Sequence, residues 1–426
     1  MKLLQIHIEK IRSEYQEISD LEDLLALLNQ INVYVYGDSA IKIQLKSLTY
    51  YSNPKLATDA YKTFEIPKKN GGVRIIHSPA GGLKSIQGSL AVLFQALFEP
   101  HPKATGFVID KSVVDNAQHH VGKHYVFNID LKDFFPSVDK PRFWKRLQYP
   151  PFNLNKENGR LKLANRIAAI CFTNLEVERI VNGEWVSLNK DVLPQGAPSS
   201  PVITNIIAYR LDQKLKQLAE HFGCEYSRYA DDITFSSDHN VYQKDGEFRK
   251  ILEEIVRGQN FHLKHTKTRL NRSNDSQEVT GLIVNEKVNV KRRYIKELRH
   301  WIYFWERYGK DKAEELILRA YKKDKGHVKK GEPNIENIIY GKLLYLKMVK
   351  GSNNGTYKKL QHRFDVIIGK TVDFDPTTLL ENWEKDGIES AMKYYYSHNE
   401  LEKNDKQVIK LNLNSEDLPL VDLTGK

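Results

Sequence analysis

The sequence predicts an α+β fold in which short antiparallel strands alternate with amphipathic helices. Three observations lead to that class. Asn-Gly dipeptides at 70–71 and 182–183 carry the signature of hairpin turns. Leu83, Ile86, Leu90, Leu93 and Leu97 are spaced 3, 4, 3 and 4 apart, the period of a helix with one apolar face. Residues 226–237 read as two strands folded tightly about Ala230-Asp231-Asp232.

The elements follow in chain order. Residues 1–30 alternate charges and leucines at helical spacing and predict an N-terminal helix. Residues 64–76 set Asn70-Gly71 between two short apolar runs, a hairpin. The helix over 83–97 comes next, then a short apolar strand at 126–131 with Asp130 near its end. Leu161, Leu163, Ile167 and Ile170 suggest another helix. Pro201, preceded by Ser199 and Ser200, opens a long helix toward Glu220, with a serine placed to cap it. No internal repeat or low-complexity tract interrupts this pattern.

Composition narrows the function classes. At 426 residues the chain exceeds one ordinary core, so two or three subdomains are expected. With 40% hydrophobic and 28% charged residues it reads as a soluble globular protein. No apolar run reaches the roughly 18 residues a membrane span needs, and the first residues lack a signal-peptide pattern. Two cysteines, Cys171 and Cys224, are too few for a zinc cluster or a disulfide framework. The expectation is a cytoplasmic protein with no membrane partner.

Charge is unevenly placed. The chain carries +11 overall, yet residues 291–360 alone hold 19 Lys and Arg against 8 Asp and Glu. In that block Lys291, Arg292, Arg293, Arg299 and Arg307 interleave with Tyr294, Trp301, Tyr303 and Trp305, a pattern suited to a phosphate backbone along a helical face. A solvated helix with its aromatic side on a core would give the same pattern. Residues 371–426 reverse the balance, with 6 basic residues against 12 acidic, and suggest a separate acidic element.

The chemistry lies in three carboxylates. Asp231 and Asp232 are adjacent in a predicted turn, where they repel each other unless a cation compensates. On their own they are more readily a solvated surface turn than a metal site. Asp130 ends a different strand 101 positions earlier, so only folding can bring it to them. Three acidic oxygen donors suit Mg²⁺, which takes a few carboxylates together with substrate phosphates. Two such ions about 3.5–4 Å apart can stabilise the attacking and leaving oxygens of phosphoryl transfer.

Four blocks occur in order: Phe127-Asn128-Ile129-Asp130-Leu131-Lys132-Asp133-Phe134-Phe135-Pro136-Ser137, Pro194-Gln195-Gly196-Ala197-Pro198-Ser199-Ser200-Pro201, Tyr229-Ala230-Asp231-Asp232, and His265-Thr266-Lys267-Thr268-Arg269. With this series, the chain closely resembles the reverse transcriptases over about residues 60–350. The resemblance implies a right-hand polymerase with fingers, a palm of antiparallel sheet plus helices, and a helical thumb. It implies Asp130, Asp231 and Asp232 as catalytic metal ligands for two Mg²⁺ ions, which Mn²⁺ can replace. Lys68, Lys69 and Arg74 would then lie over the dNTP triphosphate, Gln195 and Gly196 beside the nascent base pair, and Lys267 near the departing pyrophosphate.

Phe135 decides between copying products. RNA-making relatives of this palm usually place an aspartate five positions after the first catalytic aspartate, where it recognises the ribose 2′-OH. An aromatic there can only crowd that hydroxyl and so selects dNTP over NTP.

A narrower resemblance is to the retron reverse transcriptases. Asn116-Ala117-Gln118-His119-His120 fits their Asn-Ala-x-x-His pattern, Val279-Thr280-Gly281 fits their Val-Thr-Gly triplet, and Gly106-Phe107-Val108 also looks like the retron pattern. The resemblance implies a noncoding RNA that is both template and primer, a single-stranded DNA product, an RNA–DNA hybrid in the enzyme, and antiphage defence with an effector protein. Asn116, His120, Val279, Thr280, Gly281, Lys291, Arg292, Arg293 and Arg299 would be RNA-binding, with Asn116 and His120 supporting either RNA contacts or the local fold. A non-retron defence reverse transcriptase, or a catalytically silent RNA-binding scaffold on the same fold, remains the alternative. The expected division is an N-terminal helix at 1–30, fingers and palm at 31–285, a basic thumb at 286–370 and an acidic extension at 371–426.

Overall fold

The structure is a computed structural model that describes residues 3–68, 71–325, 333–370 and 376–398. The chain divides into two units, Met1–Lys291 and Arg292–Lys426.

The first unit begins with two helices where the sequence suggested one, α1 (Gln5–Glu17) and α2 (Leu21–Tyr36). A capping box makes the break. The Asp20 side chain accepts from the backbone N–H of Glu22 and Asp23, and Asp23 answers on the Asp20 N–H. After α3 (Leu45–Tyr51), the hairpin β1 (Tyr61–Pro67) and β2 (Val73–Pro79) closes over a loop in which Lys68 N–H donates to Gly72 O. Helix α4 (Gly81–Leu97) buries all five of its predicted apolar positions.

Helix α5 (Val113–Gln118) leads to β3 (Tyr125–Asp130), and α6 (Lys140–Leu147) and α7 (Leu161–Cys171) follow. The second predicted hairpin forms as β4 (Thr173–Val181) and β5 (Glu184–Val192). Asn182 and Gly183 both have positive φ, 52° and 88°, as a two-residue turn matching the twist of its strands requires. The long helix α8 (Ser200–His221) starts with Pro201 in its first turn and buries Ile203, Ile207, Leu211, Leu215 and Leu218 along one stripe. Its predicted cap is not made: Ser200 Oγ turns away to Pro194 O at 2.8 Å, and Ser199 makes no capping bond.

Strands β6 (Glu225–Tyr229) and β7 (Asp232–Ser237), helix α9 (Glu247–Gly258) and β8 (Arg269–Arg272) complete the central structure. The four-stranded sheet runs β6-β7-β3-β8, antiparallel throughout. Phe127 and Ile129 of β3 pair with Phe235 and Ile233 of β7, and all four are buried in the main apolar core. A small hairpin, β9 (Glu278–Val279) with β10 (Leu282–Ile283), ends the unit.

The second unit is helical: α10 (Arg292–Tyr308), α11 (Lys310–Lys325), α12 (Ile335–Lys350), α13 (Gly355–Ile367), α14 (Pro376–Asp386) and α15 (Ile388–His398). On α10 the aromatic and basic residues separate. Trp301 and Trp305 are buried, and Trp305 meets Phe364 of α13 edge to face, whereas Arg292, Arg293, Arg299 and Arg307 are exposed. Among the described residues no helix is long and apolar enough to cross a membrane.

Candidate active site

Strand pairing brings the three carboxylates together. Asp130, the last residue of β3, lies opposite Asp232, the first residue of β7, in the antiparallel register. Directly opposed residues in such a pair have Cα atoms about 4.5–5.5 Å apart. Asp231 occupies the turn between β6 and β7, and its carbonyl accepts from Leu131 N–H at 3.0 Å. The turn is forced by Ala230, whose φ of 58° lies in the left-handed region.

Two features hold this turn. Gly106 lies so close beneath it that a Cβ there would stand 2.3 Å from Ala230 N, so only glycine fits. Arg228, fully buried, donates to Ala230 O at 3.1 Å and to both carboxylate oxygens of buried Asp212 at 2.7 Å. Tyr226 Oη and Asn205 complete the network. Sequence reading missed this pair, although Asp212 stands four residues after Ala208 and three before Leu215, both buried, which is the spacing of one helix face.

The electrostatics follow from this crowding. Burial, and then the Asp130 charge, hold the Asp231 carboxyl above its ordinary range, while Lys267 and Arg74 act in the opposite direction. Burial and the charges of Asp231 and Asp130 push Asp232 up to about 6. Lys267 Nζ stands 2.5 Å from Asp130 Oδ2; against partial burial, that contact raises the ammonium pKa. Among the described residues, burial and mutual repulsion thus outweigh the opposing charges of Lys267 and Arg74 at Asp231, and of Lys267 at Asp232. Among the described residues no three His, Cys, Asp or Glu side chains are arranged to hold a metal ion between them. The donor set instead fits a divalent ion that uses one or two carboxylates and takes its remaining ligands from water and phosphate.

The aromatic five positions after Asp130 is held in a tight loop. Asp133 has φ of 45°, and Ser137 closes the turn by donating from N–H and Oγ to Asp133 O. The half-buried Phe135 ring lies 5.7 Å from Phe134 and 5.9 Å from Phe107. Phe107, with φ of 62°, was not singled out from the sequence as a neighbour of Phe135.

The other expected site residues divide. Lys68 and Arg74 are exposed on the β1–β2 hairpin, and the Arg74 charge reaches Asp231; Lys69 lies outside the described residues. Gln195 is half-buried, and its carbonyl accepts from His77 N–H at 2.8 Å. Gly196, at φ of 125°, is explained by its own chain: a Cβ would meet His77 O at 2.8 Å. The close approach that demands glycine is therefore to β2.

Direct RNA contact by Asn116, His120 and Val279 is corrected by burial. All three are fully buried. His120 bridges Ser227 and Ser236 of the central sheet at 2.7 Å each, and burial pushes its imidazole down to about 3. Asn116 accepts from Thr105 Oγ1. Thr280 and Gly281, with φ of 47° and 88°, form the β9–β10 turn, and only Gly281 is exposed. Lys291 pairs with Glu278 at 2.6 Å. On the second unit, Arg293 and Arg299 line an open cavity of about 550 Å³ with Lys296, His300 and Arg363, while Arg292 is exposed on the same helix.

Comparison with known proteins agrees with this geometry. Residues 66–285 match the family described as Reverse transcriptase (RNA-dependent DNA polymerase). The Retron Mx65 reverse transcriptase of Myxococcus xanthus is 33% identical over 276 residues, 62% of this chain and 61% of that protein. The Retron Mx162 reverse transcriptase of the same organism is 34% identical over 236 residues, 53% of this chain and 47% of that protein. The Retron Ec86 reverse transcriptase of Escherichia coli is 30% identical over 248 residues, 57% of this chain and 69% of that protein. The match thus spans about half to three fifths of the two Myxococcus relatives' length.

Proposed function

The chain belongs to the reverse transcriptases, of retron type, and on that premise we propose that it is an RNA-directed DNA polymerase copying a partner noncoding RNA into single-stranded DNA. The observation that carries the reading is the pairing of Asp130 with Asp232 across β3 and β7, with Asp231 in the adjoining turn.

The family uses divalent metal ions, and Asp130, Asp231 and Asp232 are the residues that would hold them here. When bound, two Mg²⁺ ions, or Mn²⁺ in their place, would stabilise the attacking and leaving oxygens of nucleotidyl transfer. Arg74, with Lys68 and Lys69, neutralises the incoming triphosphate. Lys267, whose ammonium form is further favoured by Asp130, neutralises the departing pyrophosphate or gives it a proton. Phe135 crowds the sugar 2′ position and selects dNTP. Gln195 and Gly196 border the nascent base pair. Residues 31–285 serve as fingers and palm and 286–370 as a thumb. Exposed Arg292, Arg293 and Arg299 bind the RNA–DNA hybrid through its phosphates. The acidic extension at 371–426 is assigned no role, and its residues 371–375 and 399–426 lie outside the described residues.

Metal-dependent dNTP incorporation on a primed RNA tests this reading. Asp231→Ala should abolish synthesis while RNA affinity persists. An inactive wild-type chain that still binds RNA would favour the silent scaffold. We also assign the enzyme to antiphage defence with an effector protein; loss of phage protection on Asp231→Ala in cells tests that part. Sequencing co-purified nucleic acid separates retron from non-retron function, since only the former predicts RNA joined to short DNA.

A further inference from the structure

We propose that the β4–β5 hairpin positions the loop that discriminates between sugars, with Arg179 as the residue that fixes it. The inference rests on reading Phe135 as a steric gate and adds a part outside the nucleotide pocket on which that gate depends.

A ring rejects a 2′-OH only if it cannot move aside, and displacement of about 1 Å is enough to alter such geometry. The loop over residues 132–139 must therefore be held on both sides of Phe135. Glu178 and Arg179 are consecutive on β4, so their side chains leave opposite faces of the strand. Glu178 Oε2 takes the Lys132 ammonium at 2.7 Å, on the upstream side. That ammonium also sits 3.8 Å over the Trp185 ring of β5, whose edge packs on His262. Arg179 Nη2 donates to Pro136 O at 2.6 Å and to Asp139 Oδ1 at 2.7 Å, on the downstream side. One strand grips the loop twice.

The downstream grip is the closer one. Pro136 directly follows Phe135, and proline has no N–H of its own to anchor the chain there. Leu193, just past β5, adds a backbone bond from its N–H to Val138 O at 3.2 Å. The Arg179 side chain is 17% exposed, so its charge-assisted bonds are largely shielded from water. Without them, the carbonyl side of Pro136 would lose its side-chain anchor, and the loop would rest on the Ser137 bonds to Asp133 O, the Leu193 bond to Val138 O and the Phe135 ring contacts with Phe134 and Phe107. Arg179 itself is a positioning residue: it reaches the loop backbone, not the nucleotide.

Single-nucleotide incorporation by the full-length chain, with matched dNTP and rNTP, tests the proposal. Arg179→Met should keep kcat for dNTP within about twofold and lower the dNTP preference about fivefold. That loss corresponds to about 1 kcal/mol at 1.4 kcal/mol per decade. Arg179→Lys should fall between, and Arg179→Met should add little to Phe135→Ala, because both act on one element. Should Arg179→Met fail to fold, Lys132→Met releases the upstream grip and should lower the preference in the same direction. The proposal is overturned if these variants slow both nucleotides equally, or leave the preference intact while Phe135→Ala relaxes it. An unchanged preference in Phe135→Ala would instead remove the gate on which the proposal stands.

Discussion

Lys267 Nζ contacts Asp130 Oδ2 at 2.5 Å, although 137 positions separate the two residues in the chain. The contact places a cation against the carboxylate group whose negative charge is otherwise under-compensated. Removing the ammonium should therefore damage catalysis more than substrate binding. Lys267→Ala is expected to lower kcat about 100-fold, the lower end of general-acid contributions, with a much smaller change in KM for dNTP. Rapid-quench single-turnover incorporation reads the difference, and an equal loss in KM alone would contradict the role.

The crowding of carboxylates has a stability consequence whose sign is fixed. Asp232 titrates near 6 in the folded protein, above the ordinary aspartate value of about 3.9. The folded state then binds more protons than the unfolded state between those values, so this group's contribution to stability falls as pH rises through that window. Asp232→Asn should raise Tm at pH 7.5 in metal-free buffer, and the gain should disappear near pH 4. Added Mg²⁺ should raise the Tm of the unsubstituted protein more than that of the variant.

His120 behaves oppositely. Burial holds it near 3, below the unfolded value of about 6.5, so it folds neutral. Its contribution is present above that unfolded value and is lost as pH falls from there toward 3. His120→Gln should be less stable than the native chain at pH 7, with the gap narrowing by pH 4.5. Urea denaturation at the two pH values measures this, and a constant gap would rule out a titrating His120.

Phe135→Ala should open the sugar pocket to ribonucleotides. On the proposed gate role, removing the ring is expected to reduce the dNTP preference by about 10- to 200-fold, the range that one-group differences in a packed pocket produce. Competitive incorporation with both nucleotides present provides the ratio.

The buried pair beside the Ala230–Asp231 turn predicts asymmetric effects. Arg228→Met leaves buried Asp212 without its cation, with the Tyr226 Oη bond remaining, and should destabilise the first unit by about 3–5 kcal/mol. Replacing Asp212 by Leu in the same chain should restore much of that loss. A double variant no better than the single one would show that packing, not charge, dominates there.

The local elements were legible because their causes are local. Asn182-Gly183 dictates its own turn, and the spacing from Leu83 to Leu97 dictates the face of α4. The convergence of Asp130 with Asp231 and Asp232 was legible only through the order of blocks, since no periodicity links positions so far apart. The Asp20 capping box was also local and was overlooked, which merged α1 and α2 into one expected helix. What sequence could not express was the identity of neighbours. His120 had been set between RNA contact and local fold, yet its two serine partners lie 107 and 116 positions away in the sheet. The need for glycine at 196 reads from the sequence as close approach to a nucleotide, whereas the close approach in the structure is to His77.

The separation of faces on α10 also gives the second unit its own optical reporter. Of the five indoles, Trp301 and Trp305 are deeply buried, Trp144 of the first unit is half-buried, and Trp185 and Trp383 are about half exposed. Intrinsic fluorescence during unfolding should therefore red-shift mainly as the helical unit opens, and far-ultraviolet dichroism should follow both units. Disagreement between the two signals would time the loss of one unit against the other without any label being attached.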